Sequence, residues 1–255
     1  MPTTLVSWNV NGIRACVKKG FLTYLQETEP DVLLLQETKA HPDVLDDTIL
    51  NPIGYHTAWE GAEKKGYSGT ALFSKTNPIT VIKGFGNSKF DSEARVMSAI
   101  YSDYTVLGVY FPNGQKNDER LQYKLDFYDH FFAYCRDLRA QGQSLIIMGD
   151  YNTAHTAIDL ANPKENSGIS GFLPIEREWM DRIVLEGYID TFRSFNQEPD
   201  HYTWWTYRAA ARRRNIGWRI DYVFITPDLK PRLTDAFIQS TVLGSDHCPV
   251  GITLA

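Results

Sequence analysis

Two rhythms of apolar and polar positions alternate along this chain. Short, nearly unbroken apolar runs close on polar residues, and between them lie longer stretches with a helical repeat. Leu145 to Met148 is the clearest run and reads as a short buried strand. Gly149 ends it by letting the backbone turn, and Asp150 and Asn152 follow. Their spacing of two puts both side chains on one side of an extended chain. Polar groups leaving the end of a buried strand together are one way a sheet presents a site. A polar turn that satisfies only its own backbone is the plainer reading.

The remaining runs follow the same grammar. Leu5 to Val10 predicts a strand that gives out at Asn9, Asn11 and Gly12. Phe21 to Leu25 lies in a helical stretch that stops before Pro30. Asp31 to Glu37 (DVLLLQE) predicts a strand buried on both faces. Further strands are predicted at Thr70–Ser74, Val96–Tyr101, Val106–Tyr110, Arg219–Ile225 and Val250–Leu254. Asn117 to Gln141 is the clearest helix. Leu121, Leu125, Tyr128, Phe132 and Cys135 form one stripe at steps of four and three, capped by Asn117 and closed by Gly142. Pro174 to Leu185 predicts a second helix, and residues 156–172, rich in Gly and Asn, predict a long loop. SWNVN and MGDYN echo one another, each following an apolar run and placing side-chain oxygens two residues apart. Strands mixed with a few long helices predict sheets packed face to face with helices outside, as one domain over residues 1–255.

Composition narrows the class. At 255 residues, 43% hydrophobic and 22% charged, the chain has the make-up of an ordinary soluble globular protein with a sizeable core. Cys16, Cys135 and Cys248 are far apart and form no CxxC pair, so neither a disulfide framework nor a structural zinc site is expected. MPTTLVSWNV lacks a basic region followed by an apolar run, and no apolar stretch approaches membrane-spanning length. A cytoplasmic protein without membrane association is the expectation. The net charge of −5 argues against nonspecific polyanion binding, but distribution matters more than the sum. Arg208, Arg212, Arg213 and Arg214 lie beside Trp204, Trp205, Tyr207 and Trp218, a basic and aromatic patch on an acidic chain.

The chemistry gathers at strand ends. Asn9 with Asn11, Glu37, Asp150 with Asn152, Asp221, and Asp246 with His247 all fall there. Glu37 alone reads as a solvated strand terminus, and Asp246–His247 as an ordinary turn. Asp221 is less routine, because it lies in the strand-like run WRIDYVFI, where a carboxylate needs a partner. A histidine is the simplest one, and an Asp–His pair orients and charges an imidazole. Glu37 and Asp246 suit a hard cation that keeps open positions for water or phosphate, and the lack of a thiolate cluster argues against zinc. Metal-assisted hydrolysis of a phosphate ester needs these parts: a Lewis acid, a group to activate water, and donors for developing charge.

These residues also carry a family likeness. SWNVNGIRA, LLLQETK, GYSGTALFSK, GVYFPNG, MGDYNTAH, NIGWRIDYVFIT and LGSDHCPV stand in the order and approximate spacing of the exonuclease III family of apurinic/apyrimidinic (AP) endonucleases, which the chain resembles from residue 7 to residue 250. The resemblance implies an α/β fold, a four-layer sandwich with two central, mainly antiparallel sheets flanked by helices. It implies a Mg2+- or Mn2+-dependent DNA-repair nuclease that cuts duplex DNA 5′ to an abasic site. Members often add 3′-phosphodiesterase, 3′-phosphatase and 3′→5′ exonuclease activities. The implied substrates are double-stranded DNA with abasic sites or blocked 3′ ends, met by a monomer.

Carried over by position, the resemblance puts Glu37, Asn9 and Asp246 at or near the metal, with Asp150, Asn152 and His247 beside them. Asp150 matches the residue that handles the proton of the attacking water or the leaving oxygen. Asn152 matches a donor to the scissile phosphate, Asp221 and His247 the His–Asp pair, and Tyr110 the active-site tyrosine. Arg14, Lys18, Tyr67, Arg95 and Asn113 match DNA- or phosphate-contacting positions. Lys116 and Arg208 lie at or near the two insertions into the duplex, and Trp204 and Trp218 match the pocket for the flipped sugar, whereas Trp205 reads as core. For each basic residue, a solvated face is the competing explanation. Tyr151 stands where members often carry Phe or Leu and is expected to point away from the site. Asn11 stands where some carry Asp, which weakens any strong metal role. Gly171, in an access loop near Gly168–Phe172, is expected to leave room for a flipped sugar. Two other functions compete: a catalytically weak nucleic-acid-binding regulator of the same fold, and a metal-dependent phosphodiesterase acting on a substrate other than DNA. The intact set Glu37, Asp150, Asn152, Asp221 and His247 speaks against the first, and the WWTYR–RRRNIGWR stretch against the second.

Overall fold

Alternation within the strands, not their order along the chain, decides how this protein layers. A computed structural model describes residues 2–255. Its strands are β1 (Thr3–Asn9), β2 (Val32–Gln36), β3 (His56–Glu60), β4 (Thr70–Ser74), β5 (Thr80–Lys83), β6 (Val96–Ile100), β7 (Thr105–Tyr110), β8 (Leu145–Asp150), β9 (Ile189–Asp190), β10 (Asp221–Ile225), β11 (Leu233–Ile238) and β12 (Val250–Leu254). They form two six-stranded sheets, ordered β11-β12-β1-β2-β4-β3 and β5-β6-β7-β8-β10-β9. Only β1/β2 and β7/β8 pair in parallel; every other neighbour is antiparallel. Each parallel pair needs a crossover. Helices Ile13–Val17 and Phe21–Thr28 supply one, and the long helix Asp118–Ala140 supplies the other.

Three apolar layers separate four layers of structure. Leu5, Leu34, Val106, Ile146, Met148 and Val223 fill the space between the sheets. Leu33, Leu35, Phe73 and Trp8 point the other way, against Phe21 and Leu25 of the first crossover. Leu145, Ile147 and Phe224 meet the long helix and the helix Pro174–Leu185 on the far side. This is the α/β sandwich that the resemblance implies. The long helix buries more than its one stripe: Phe127, Phe131, Leu138 and Lys124 join Leu125, Tyr128, Phe132 and Cys135. Asn117 caps it by accepting from the Arg120 N–H.

The two sheet orders correspond strand for strand, with β1 in the place of β7 and β2 in that of β8. The echo of SWNVN in MGDYN therefore joins β1 to β8, strands that lie against one another across the sandwich rather than strands the topology equates. Residues 156–172, expected as a loop, carry a 3-10 turn at Ala157–Asp159 and a short helix at Pro163–Asn166. Among the described residues, no helix is long and apolar enough to cross a membrane.

Candidate active site

The strand ends converge because their polar residues keep the parity of the inner face. Asn9 continues the side that carries Leu5, Asp150 that of Ile146 and Met148, and Asp221 that of Val223, all facing the space between the sheets. Glu37 has the wrong parity, since Leu33 and Leu35 face the outer helices. Its φ of 52° breaks the extended chain and swings it back. Asn11 and Asn152 also sit at positive φ, 45° and 50°. An extended spacing of two is thus not what brings Asn152 to Asp150. Each motif closes an Asx turn: the Asn11 N–H donates to Asn9 Oδ1 at 3.0 Å, and the Asn152 N–H to Asp150 Oδ1 at 2.8 Å. One oxygen satisfies local backbone and leaves the other groups free for the cleft.

Asn9 bridges the carboxylates. Its amide donates to Glu37 Oε1 and to Asp150 Oδ2, both at 2.9 Å. His247 Nδ1 lies 2.8 Å from Asp221 Oδ2, and its Nε2 lies 3.9 Å from Asp150 Oδ2. Thr203 Oγ1 donates to the same Asp221 oxygen at 2.6 Å. Burial by itself would lower the His247 pKa, but the Asp221 and Asp150 carboxylates outweigh it and hold the imidazole protonated above its usual range. Burial raises the Asp150 carboxyl, helped by Asp221 and Glu37 and opposed by the His247 charge. Glu37 and Asp246 are lowered: burial works against both, and Lys39 and His247 respectively overcome it. Tyr110 is buried and raised, first by desolvation and then by the Glu37 charge.

Glu37, Asp150 and His247 each offer an atom within 4.8 Å of the others. A cation already belongs at this point, for the Lys39 ammonium lies 2.7 Å from Glu37 Oε2 and also meets Asn11. Carboxylates with no thiolate among them fit a hard divalent ion. Asp246 stands at the rim, taking Asn11 Nδ2 at 2.8 Å and the Trp204 indole N–H at 3.1 Å.

Glu37, Tyr110, Asp150, Asp246 and His247 line a cleft of about 510 Å³ that Asn113, Trp204, Trp218 and Gly171 complete. Asn113 Nδ2 donates to Asn152 Oδ1 at 3.0 Å. Trp204 and Trp218 meet edge to face at 6.4 Å, backed by Leu160, Phe172 and Ile220. Trp205 is buried, and Tyr151 turns away to stack on Phe111. A second cavity, of about 520 Å³, holds Arg14, Lys39, Lys64, Lys65 and Tyr67. Lys18, Lys116 and Arg208 are exposed.

Arg95 does not belong with them. It is 1% exposed, bonded to Glu93 and to the Tyr110 carbonyl, and lies 4.4 Å over the Tyr110 ring. Its place is beneath the tyrosine, inside the protein rather than on its surface. Arg212 is likewise engaged, donating to the carbonyls of Ser245, Ser240 and Val242. Sequence reasoning passed over Thr203, Lys39, and the buried pair Lys124–Glu176. Lys124 had a signal: it lies four residues before Tyr128, a charge on an apolar stripe.

Paired carboxylates, a protonated imidazole and amide donors, set where two sheets open, make up the equipment of a metal-assisted phosphate-ester hydrolase. The chain belongs to the Endonuclease/Exonuclease/phosphatase family, which it matches over residues 6–247. It is 44% identical to an exodeoxyribonuclease of Bacillus subtilis over 252 residues, 98% of either chain. Among solved structures it resembles an AP endonuclease from Archaeoglobus fulgidus, with a TM-score of 0.90 and 29% identity over 99% of both chains. It also resembles a 3′ phosphatase from Neisseria bound to a product DNA hairpin, with a TM-score of 0.91 and 28% identity over 99% of both.

Proposed function

We infer that this protein is a DNA-repair nuclease that hydrolyses the phosphodiester 5′ to an abasic site and also trims blocked 3′ ends. One observation carries the reading: Glu37, Asp150 and His247 share one cleft with an aromatic pocket formed by Trp204 and Trp218. An abasic sugar has no base to unstack, so it turns out of the helix at little cost, and a pocket walled by indoles admits it where a whole nucleotide is too large. The reading extends to one catalytic unit over the whole chain, acting as a monomer in the cytoplasm.

Glu37 and Asp150, with Asn9 and Asp246 close by, would hold magnesium or manganese, which would supply Lewis-acid charge at the phosphate. Asp150 takes the proton of the attacking water; a buried carboxylate with a raised pKa is a better base than an exposed one. His247, kept cationic by Asp221, donates to a nonbridging oxygen; because it stays protonated, we assign it to the phosphate rather than to the metal. Asn152 and Asn113 donate to the same phosphate, and Tyr110 closes the site beside Glu37. Arg14, Lys18, Tyr67, Lys116 and Arg208 meet the duplex around it.

A labelled duplex bearing one abasic analogue, incubated with magnesium and with EDTA, tests the assignment. Incision at the lesion is expected with the ion and not with the chelator. Binding without incision would leave a regulator, and cleavage indifferent to the lesion would leave a phosphodiesterase of another kind. Asp150→Asn and His247→Asn are each expected to lower kcat by more than about 10²-fold. Near-normal turnover in either would refute its role.

A further inference from the structure

One ion pair is wholly buried beside the cleft without touching it. Lys124 comes from the long helix and Glu176 from the first turn of Pro174–Leu185, and both side chains are 0% exposed. They meet at 2.6 Å. The Lys124 ammonium also donates to the Asn152 carbonyl at 2.7 Å. Glu176 Oε1 accepts the Ser170 hydroxyl at 2.8 Å, and Oε2 accepts the N–H groups of Gly171 at 2.6 Å and Leu173 at 3.1 Å. One carboxylate thus holds three groups within four residues. The same pair reaches Asn152 on the phosphate side and Gly171 on the pocket side. The Gly171 carbonyl returns to the Ala154 N–H at 2.8 Å, closing the tether.

Gly171 is where this grip matters. Its φ is +103°, and a Cβ placed on it would lie 3.0 Å from the Trp218 ring. Gly171 is therefore packed directly against Trp218, and the 170–173 segment backs the indole wall of the pocket. A buried ion pair is poor as a source of stability, since desolvation offsets its attraction and apolar replacements often serve as well. What it supplies is directional: bonds that fix where the turn after β8 and the loop before the helix Pro174–Leu185 stand relative to each other.

We propose that Lys124 and Glu176 are positioning residues that set the width of the sugar pocket and so determine how strongly the enzyme prefers an abasic site to a normal 3′ nucleotide. This selection presupposes the abasic-site activity inferred above. In the intact pair, Asn152 and Gly171 stand as one body with Gly171 against Trp218, and the pocket that these residues line admits a sugar only without its base. When the tether is cut, the wall is free to retreat and the preference falls.

Three readouts on Glu176→Gln and Lys124→Met test this. Hydrogen–deuterium exchange of residues 168–173 should speed up about tenfold, as expected for the loss of one directional bond. The ratio of kcat/KM for an abasic duplex to that for an unmodified 3′ end should drop by about tenfold, chiefly through KM. In Glu176→Gln, which keeps the Lys124 bond to the Asn152 carbonyl, removal of a terminal 3′-phosphate, which carries no sugar beyond the phosphorus, should change by less than about twofold and serves as the reference for an intact metal site. Faster exchange with unchanged preference would overturn the role, as would equal loss of all three activities. Should the buried variants not fold, Ser170→Ala removes one bond to Glu176 and leaves the pair intact; it should shift exchange and preference in the same direction, and no shift would overturn the role. A wild-type enzyme that removes 3′-phosphates yet leaves abasic duplexes uncut would instead sink the abasic-site reading, while the exchange measurement still reports on the tether.

Discussion

At the scale of the residue, charge and burial set the terms. Asp150 works as a base only when ionised, and burial has pushed its carboxyl upward, so activity is lost as pH falls through that raised value. The acid limb of kcat/KM should lie above about 3.9, the ordinary aspartate value. A pH–rate profile of wild type beside Asp150→Asn checks this, and an acid limb that persists unchanged in the variant would remove Asp150 as the base. Asp159 is the opposite case. It is buried between Arg219 and Arg193, whose attraction overcomes desolvation and holds the carboxyl far below its usual range. A depressed carboxylate contributes stability above its unfolded pKa, and that stability is lost as pH falls toward the folded one. Asp159→Asn should destabilise the protein at neutral pH by about 3–5 kcal/mol, because it leaves buried guanidinium charge less compensated. Urea unfolding should show the gap from wild type narrowing in acid.

Elements were legible in proportion to their burial. β4, β12 and the helix Pro174–Leu185 have the bounds that the apolar pattern predicts, and β2 and β8 differ by a residue or two. The strands that pattern reasoning missed, β3, β5, β9 and β11, lie toward or at the sheet edges. Thr80–Lys83 is mostly exposed and Leu233–Ile238 buries only Ala236, so neither has a dense apolar run to announce it. Gly149 shows the converse, a residue whose role the pattern misjudged. It looked like the end of a strand but lies inside β8, opposite Val109 of β7. A Cβ there would stand 1.8 Å from the Val109 carbonyl oxygen, which is backbone and has no room to yield. Gly149→Ala should cost at least the ~3 kcal/mol at the upper end of overpacking, read by chemical denaturation. Ordinary stability would show that β7 and β8 separate more easily than their register implies.

At the scale of the molecule, the acidic chain has to present a basic face. Arg14, Lys39, Lys64 and Lys65 surround one cavity beside the cleft, and Lys18, Lys116 and Arg208 are exposed. If this face carries the duplex, affinity falls with salt at a logarithmic slope of about 0.9 per neutralised phosphate. Lys18→Ala should lower that slope by about one and leave the preference for the lesion unchanged. A flat salt response in a binding titration would move the DNA elsewhere. Arg95 marks the limit of such reasoning, because a basic residue in a matching position proved to be a buried brace under Tyr110.

The seven blocks of sequence determined the family, and with it the sandwich and the ion-dependent chemistry, because residue types at strand ends are written directly in the chain. Burial runs such as Leu145–Met148 determined the central strands, since a strand covered on both faces has to be apolar throughout. Only the tertiary structure decided which neighbours each polar group would have. Glu37 reaches the cleft through a positive φ that its strand pattern does not predict, Arg95 turns inward, and Lys124 finds Glu176 fifty-two residues away. The physical reason is the same in each case. A charge is tolerated inside a protein only by what surrounds it, and those surroundings come from chain that is distant in sequence.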